Sequence, residues 1–226
     1  MKIHIYYRHY NISGSGQGRP MWFDYEKCYD NLLATLPDRD SNKYILNVVY
    51  DGNETNWISN YTYHNSYNII AGGDFKSFQQ TCDLVKNNPD IVDGDLIYFI
   101  ENDYLHKSGW LDKVLELFTT YSGLDYVSLY DHKDKYFLPA YDDLVSKIFI
   151  TKTHHWRTTP STCGTFILTK ELFDKDYDIL STMEGDHNKW LWLNSNRGRH
   201  VISPIPGLAT HCVEGLESPT IKWETV

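Results

Sequence analysis

The chain has 226 residues, 41% of them hydrophobic and 15% aromatic, a globular composition long enough to bury a substantial core in one domain or a tightly fused pair. Its 21 Lys and Arg stand against 30 Asp and Glu, and the net charge of -9 argues against broad binding to a nucleic-acid backbone. Cys28, Cys82, Cys163 and Cys212 form neither a CxxC pair nor a zinc spacing, and no window approaches the roughly 20 apolar residues of a membrane span. With no apolar core of a secretory signal at the N-terminus, the expectation is a cytoplasmic protein with buried thiols and no integral membrane segment.

The first half alternates strands and helices. Lys2 to Tyr7 reads as a strand, and Asn11 to Pro20, rich in Gly and Ser, as a flexible loop. Asp24 to Leu36 has helical spacing at Tyr25, Cys28, Tyr29 and Leu32. Tyr44 to Tyr50 is a second strand ending in Asp51-Gly52, and Ile69-Ile70 suggests a short third one. Ala71-Gly72-Gly73-Asp74 then opens a helix from about Phe75 to Lys86. Leu96 to Ile100, an apolar run between charges, reads as a fully buried strand, with a helix after it at about Trp110 to Thr120.

Beyond a strand at Tyr126 to Tyr130 the order becomes mixed. Lys147 to Thr153, Thr165 to Thr169 and Val201 to Ser203 read as strands, and Asp186 to Leu193 as a helix. The pattern predicts an α/β protein with a sheet flanked by helices. It is expected to be a single compact domain over 1–226, with a nucleotide-type half at about 1–103 and a less regular half at about 104–226.

The chemistry concentrates where strands end. In open α/β sheets ligands bind outside the carboxyl ends of the strands, which is where Glu101-Asn102-Asp103 falls. Two hard oxygen donors spaced acid-x-acid suit Mg²⁺ or Mn²⁺ that also holds a substrate's phosphates. A solvated turn is the alternative reading of the same residues. Asp51 closes the second strand and can accept hydrogen bonds from a ribose or base, or simply make an Asp-Gly turn. The N–H groups of Gly72 and Gly73 can face an anion, with Asp74 alternatively capping the helix, and Arg8 can neutralise phosphate. Glu184-Gly185-Asp186 sits at a helix start, where a carboxylate is favoured as the anion and available as a base. His211 can complete a metal shell begun by Asp103, although a lone His is more often structural.

Taken in order from Lys2 to about His211, these pieces resemble the GT-A glycosyltransferases, with an inverting, family-2-like pattern. Glu101-Asn102-Asp103 resembles their acid-x-acid metal motif, with Glu in place of the commoner first Asp. Glu184-Gly185-Asp186 resembles the acidic pair near the acceptor base, and His211 the late metal ligand. Cys163-Gly164-Thr165-Phe166 resembles the small-residue turn beside the donor sugar. The resemblance implies a GT-A-type, Rossmann-like mixed sheet and a nucleotide-sugar donor bound by Arg8, Asp51, Gly73, Asp74, Asn102, Trp156 and Arg157. Trp156 would stack on a pyranose and Arg157 would bind an anionic group.

It further implies Mn²⁺ or Mg²⁺ on Asp103 and His211, with Glu101 through water, stabilising the leaving diphosphate. Asp186, with Glu184 second to it, would deprotonate the hydroxyl of a glycan or other acceptor. Tyr130 to Tyr136 is similar to this group but has no assigned role. Competing readings are a nucleotidyltransferase, a glycoside hydrolase using Glu184 and Asp186, and a non-catalytic sugar- or nucleotide-binding module.

Overall fold

A computed structural model of the chain describes residues 1–10, 18–38, 42–52, 57–62 and 64–226; most of the expected Asn11 to Pro20 loop lies outside the described residues. The described elements are β1 (Ile3–Tyr10), α1 (Tyr25–Thr35), β2 (Tyr44–Asp51), β3 (Asn65–Ile69), α2 (Asp74–Lys86), β4 (Leu96–Glu101), β5 (Tyr104–His106), α3 (Trp110–Thr120), β6 (Tyr126–Val127), β7 (Ile148–Ile150), β8 (His155–Thr159), β9 (Phe166–Thr169), α4 (Lys170–Thr182), α5 (Asp186–Arg197), β10 (Val201–Ile205) and β11 (Ala209–His211), with short 3-10 turns between some of them. They gather into two compact units, each drawn from several stretches of chain. The class is α/β, with mixed sheets and helices flanking them.

The first unit holds 1–13, 37–102 and 163–199. Its strands run in the order β3-β2-β1-β4-β9. The first four are mutually parallel and β9 is antiparallel to β4. Leu96 to Ile100 have no exposed surface, as a central parallel strand covered on both faces requires. Register across this ladder sets Arg8 beside Glu101 and Tyr10 beside Asp51, so strand ends that are far apart in sequence carry their polar residues together.

Two elements here depart from the sequence pattern. β3 begins at Asn65 and reads Asn-Ser-Tyr-Asn-Ile, a polar edge strand with no hydrophobic run to announce it. α4 has only Leu172, Phe173 and Leu180 as buried apolar anchors among many charges, yet it is a regular helix whose N-cap Thr169 accepts from Leu172 N at 3.2 Å. Asp176, with no exposed surface, is gripped by Arg197 and Arg199 at 2.8 Å each. That charge pairing fastens α4 to the end of α5. α5 runs on to Arg197, beyond the expected Leu193, and stops at Gly198, whose φ of 62° is the left-handed backbone that favours glycine.

The second unit holds 14–36, 103–162 and 200–226. β6-β10-β8-β7 form its larger ladder, with β6 parallel to β10 and the rest antiparallel. β5 and β11 pair antiparallel, which places His211 opposite Tyr104. β6 is only two residues long, because Leu129 turns away to accept from Leu208 N and Ala209 N at 2.9 Å each. β8 carries Trp156 and Arg157. Asp24 caps α1 by accepting from Lys27 N at 2.9 Å, as the sequence start signal requires. Cys28 and Cys212 pack with Leu105 and Trp223 beneath it. Among the described residues no helix is long and apolar enough to cross a membrane.

Candidate functional site

In the first unit the strand ends build a charged cluster around Arg8. Its guanidinium donates to Asp74 Oδ1 at 2.9 Å and to Glu101 Oε1 at 3.3 Å, and only 6% of the side chain is exposed. Burial works against this charge, but Asp74 and Glu101 outweigh it and raise the Arg8 pKa. The other Glu101 oxygen accepts from Thr165 Oγ1 at 3.2 Å, while Thr165 Oγ1 accepts from Glu101 N at 3.0 Å. Gly164 lets these groups approach, because a Cβ there would stand 2.9 Å from Arg8 Nη2 and 3.1 Å from Glu101 Oε1 and would push them aside.

Asp74 does not cap α2; Gly73 is the N-cap and Asp74 turns its carboxylate to Arg8. Asp186 opens α5, 41% exposed, and pairs with Lys189 Nζ at 3.5 Å. Lys189 itself is buried, 4.5 Å from the centre of the Phe78 ring, and Arg8 lies 5.2 Å from the same centre. Glu184 is exposed in the turn before Gly185. Asp51 is 3% exposed and accepts from Ala71 N at 2.8 Å, so it shapes the turn after β3. Asn102 bonds the His9 ring at 3.1 Å, and its carbonyl accepts from Tyr7 Oη at 3.3 Å.

The second unit carries a separate cluster on Asp103. His211 Nε2 lies 3.0 Å from Asp103 Oδ2, and Arg19 Nη2 donates to the same oxygen at 2.7 Å. Arg19 also donates to Cys212 O at 2.9 Å, and Cys212 N donates to Asp103 O at 2.9 Å, which fixes the carboxylate against β11. Tyr104 stacks flat on His211, with ring centres 4.9 Å apart and planes 2° from parallel. Burial would raise the Asp103 pKa, but His211 and Arg19 overcome it and hold the carboxyl below the usual carboxylate value. Asp103 Oδ1 is buried and has no hydrogen-bond partner among the described residues.

A buried carboxylate oxygen left in that state is a candidate ligand for a cation. His211 and Arg19 both meet Oδ2, so a cation would reach Asp103 through Oδ1, with the His211 imidazole beside it. Among the described residues no three His, Cys, Asp or Glu gather around one point, so phosphate and water oxygens would complete such a shell.

Tyr130 to Tyr136, the segment without an assigned role, meets Arg157 in this unit. Arg157 Nη2 donates to Asp131 Oδ1 at 3.0 Å, and Tyr136 Oη donates to both Asp131 oxygens, at 3.0 and 2.8 Å. Burial raises the Asp131 pKa against the pull of Tyr136 and Arg157. His132 Nε2 lies 3.1 Å from Thr162 Oγ1, and burial pushes its pKa well down. Trp156 sits in β8 with no exposed surface, which corrects the expectation that its ring offers a face to a pyranose. Arg157 is 7% exposed and pairs with Asp131 through Nη2.

Sequence reasoning missed Arg19 and Lys189. Lys189 had a readable signal, standing three residues after Asp186 on one helix. Arg19 had none, because 84 residues separate it from Asp103.

No protein-family model and no curated protein matches the chain. Solved structures do. S. aureus TarS, residues 1–349, superposes over 90% of this chain at a TM-score of 0.52 and 15% identity, and the chain spans 58% of that structure. A Desulfovibrio desulfuricans protein described as a nucleotide-diphospho-sugar transferase matches over 90% of this chain and 80% of its own, at a TM-score of 0.51 and 10% identity. CMP:2-keto-3-deoxy-manno-octonic acid synthetase, complexed with CTP, matches over 92% of both chains at a TM-score of 0.50 and 11% identity. At such identities the likeness concerns the fold alone, and that fold is GT-A-like.

Proposed function

We propose that the protein is a glycosyltransferase, moving a sugar from a nucleoside-diphosphate donor to an acceptor hydroxyl with inversion. The observation that carries this reading is the Asp103–His211 pair, with a buried oxygen of Asp103 that has no partner among the described residues, in a GT-A-like fold. Asp103 and His211 would hold Mn²⁺ or Mg²⁺. When bound, the ion supplies Lewis-acid stabilisation of the leaving diphosphate. Arg19, on the same Asp103 oxygen, keeps that carboxylate ionised and aimed at β11. Asp186, oriented by Lys189, accepts the proton of the acceptor hydroxyl, with Glu184 as the second choice. Arg8, Asp51, Gly73, Asp74 and Asn102 would shape the donor side of the sheet.

The test is release of nucleoside diphosphate from a panel of nucleotide sugars, with Mn²⁺ or with EDTA. Metal-dependent release from one donor is expected, and Asp186→Asn should lower transfer about 100-fold or more while leaving the fold intact. Release that ignores both EDTA and Asp186→Asn would sink the reading.

A nucleotidyltransferase is the second reading, because the CTP-bound synthetase shares the fold over 92% of both chains. Pyrophosphate released from a nucleoside triphosphate and a sugar, with no nucleoside diphosphate from the panel, would favour it.

A further inference from the structure

We infer that a cavity of about 390 Å³ in the second unit, lined by Trp22, Lys133, Glu217, Thr220, Lys222 and Trp223, binds one ring of a carbohydrate acceptor. The inference rests on the transferase reading for the word acceptor, and on the cavity itself for the word carbohydrate. Its volume falls in the range of about 300–1,000 Å³ typical of small-molecule sites.

The apolar part is rigid. Trp223 is 3% exposed, donates Nε1–H to Ser218 O at 2.8 Å and packs on Cys28, Leu105 and Cys212, and Trp22 leans on the same group. Around it stand Lys133, Lys222, Glu217 and Glu224, two charges of each sign. Among the described residues none of these four side chains is engaged in a hydrogen bond or ion pair. A lining whose charges cancel gives a phosphate-rich ligand no net attraction. It suits a neutral polyol, whose hydroxyls donate to carboxylates and accept from ammonium groups while its C–H face covers the half-buried indole of Trp22.

The position of this cavity is set by the strand that carries His211. Ser218, in the cavity wall, donates from N to Thr210 Oγ1 and from Oγ to Ala209 O, both at 2.8 Å, and accepts from Asp131 N at 3.1 Å. Gly207 makes room for it, since a Cβ there would lie 2.5 Å from Ser218 Oγ. Thr220, a β-branched residue, is kept at a φ of 70°, a costly backbone that persists only where its surroundings impose it. A ring in the cavity is therefore fixed relative to β11 and the residue at its end.

The experiment titrates the full chain, without donor, with methyl glycosides of glucose, galactose, mannose and N-acetylglucosamine, read by tryptophan fluorescence and saturation-transfer NMR. Glu217→Gln, Lys133→Met and Trp22→Ala run alongside, with thermal midpoints as the folding control. Glu217→Gln and Lys133→Met alter only the rim and keep the test valid if Trp22→Ala fails to fold. At least one glycoside should bind, and Glu217→Gln should weaken it about 10-fold with an unchanged midpoint. No binding, binding indifferent to the rim substitutions, or preferential binding of inorganic phosphate overturns the site. Cavity-dependent glycoside binding in a chain that releases no nucleoside diphosphate supports the site and counts against the transferase reading alone.

Discussion

Glu101 and Asp103 stand two residues apart, and the structure treats them differently. Glu101 spends its oxygens on Arg8 and Thr165 in the first unit, at the end of a central strand. Asp103 concentrates Arg19 and His211 on one oxygen in the second unit and leaves the other buried without a partner among the described residues. Two carboxylates of one acid-x-acid motif thus divide the work. Glu101 ties β1 and β4 to the turn at Gly164, whereas Asp103 keeps coordinating capacity in reserve. A carboxylate whose lone pairs are filled by the protein is a strut; one with a lone-pair side unfilled is ready for a ligand.

The largest expected effect separates these two roles. Asp103→Asn should reduce nucleoside-diphosphate release about 100-fold or more, and Glu101→Gln by a much smaller factor, because Glu101 spends its oxygens on Arg8 and Thr165. Equal losses in both variants, measured as initial rates at saturating Mn²⁺, would erase the distinction. Stability should run the other way. Arg8→Met takes the facing cation from the part-buried Glu101 and should cost about 3 kcal/mol in urea unfolding. Arg19→Met, at a side chain 17% exposed, should cost about 1–2 kcal/mol. A smaller loss for Arg8 than for Arg19 would mean that the first cluster is not the structural one.

Gly164→Ala sharpens the same point without changing charge. A methyl 2.9 Å from Arg8 Nη2 forces the pair apart and should cost about 1–2 kcal/mol, visible as a lowered urea midpoint.

The smallest effect concerns pH. His106, in β5 next to the Asp103 cluster in sequence, is pushed by burial to a pKa of about 3 from 6.5. A depressed basic group contributes stability in full above its unfolded value and loses it as pH falls toward the folded one. The decline therefore begins near pH 7 and continues toward pH 3; measured between about pH 7 and about pH 5, the loss should be smaller in His106→Gln by on the order of 1 kcal/mol. Burial pushes His4, His132 and His154 the same way, so the slope should shrink but not vanish. Asp103 has no part in this window, since its lowered pKa places its loss of stability below the ordinary value of 3.8.

What could be read in advance follows from the range of the forces involved. Strand β4 announced itself because its burial on both faces demands an unbroken apolar run, and α1 because Asp24 and the spacing of Cys28, Tyr29 and Leu32 encode a start and a face. β3 and α4 were hidden for the converse reason, since an edge strand and a charge-rich helix show little hydrophobic period. Trp156 misled because an aromatic residue in a polar stretch looks like a binding surface, whereas β8 turns it into core.

By itself the sequence determined the α/β class, the carboxylates at the strand ends and the candidate pairing of Asp103 with a late histidine. Only the tertiary structure decided which partners those carboxylates meet. Arg8 reaches Glu101 through the parallel register of β1 on β4, and His211 reaches Asp103 through the pairing of β11 with β5. Local patterns fix where a strand ends; which distant side chains share that end is set by register and packing, which no short window of residues contains.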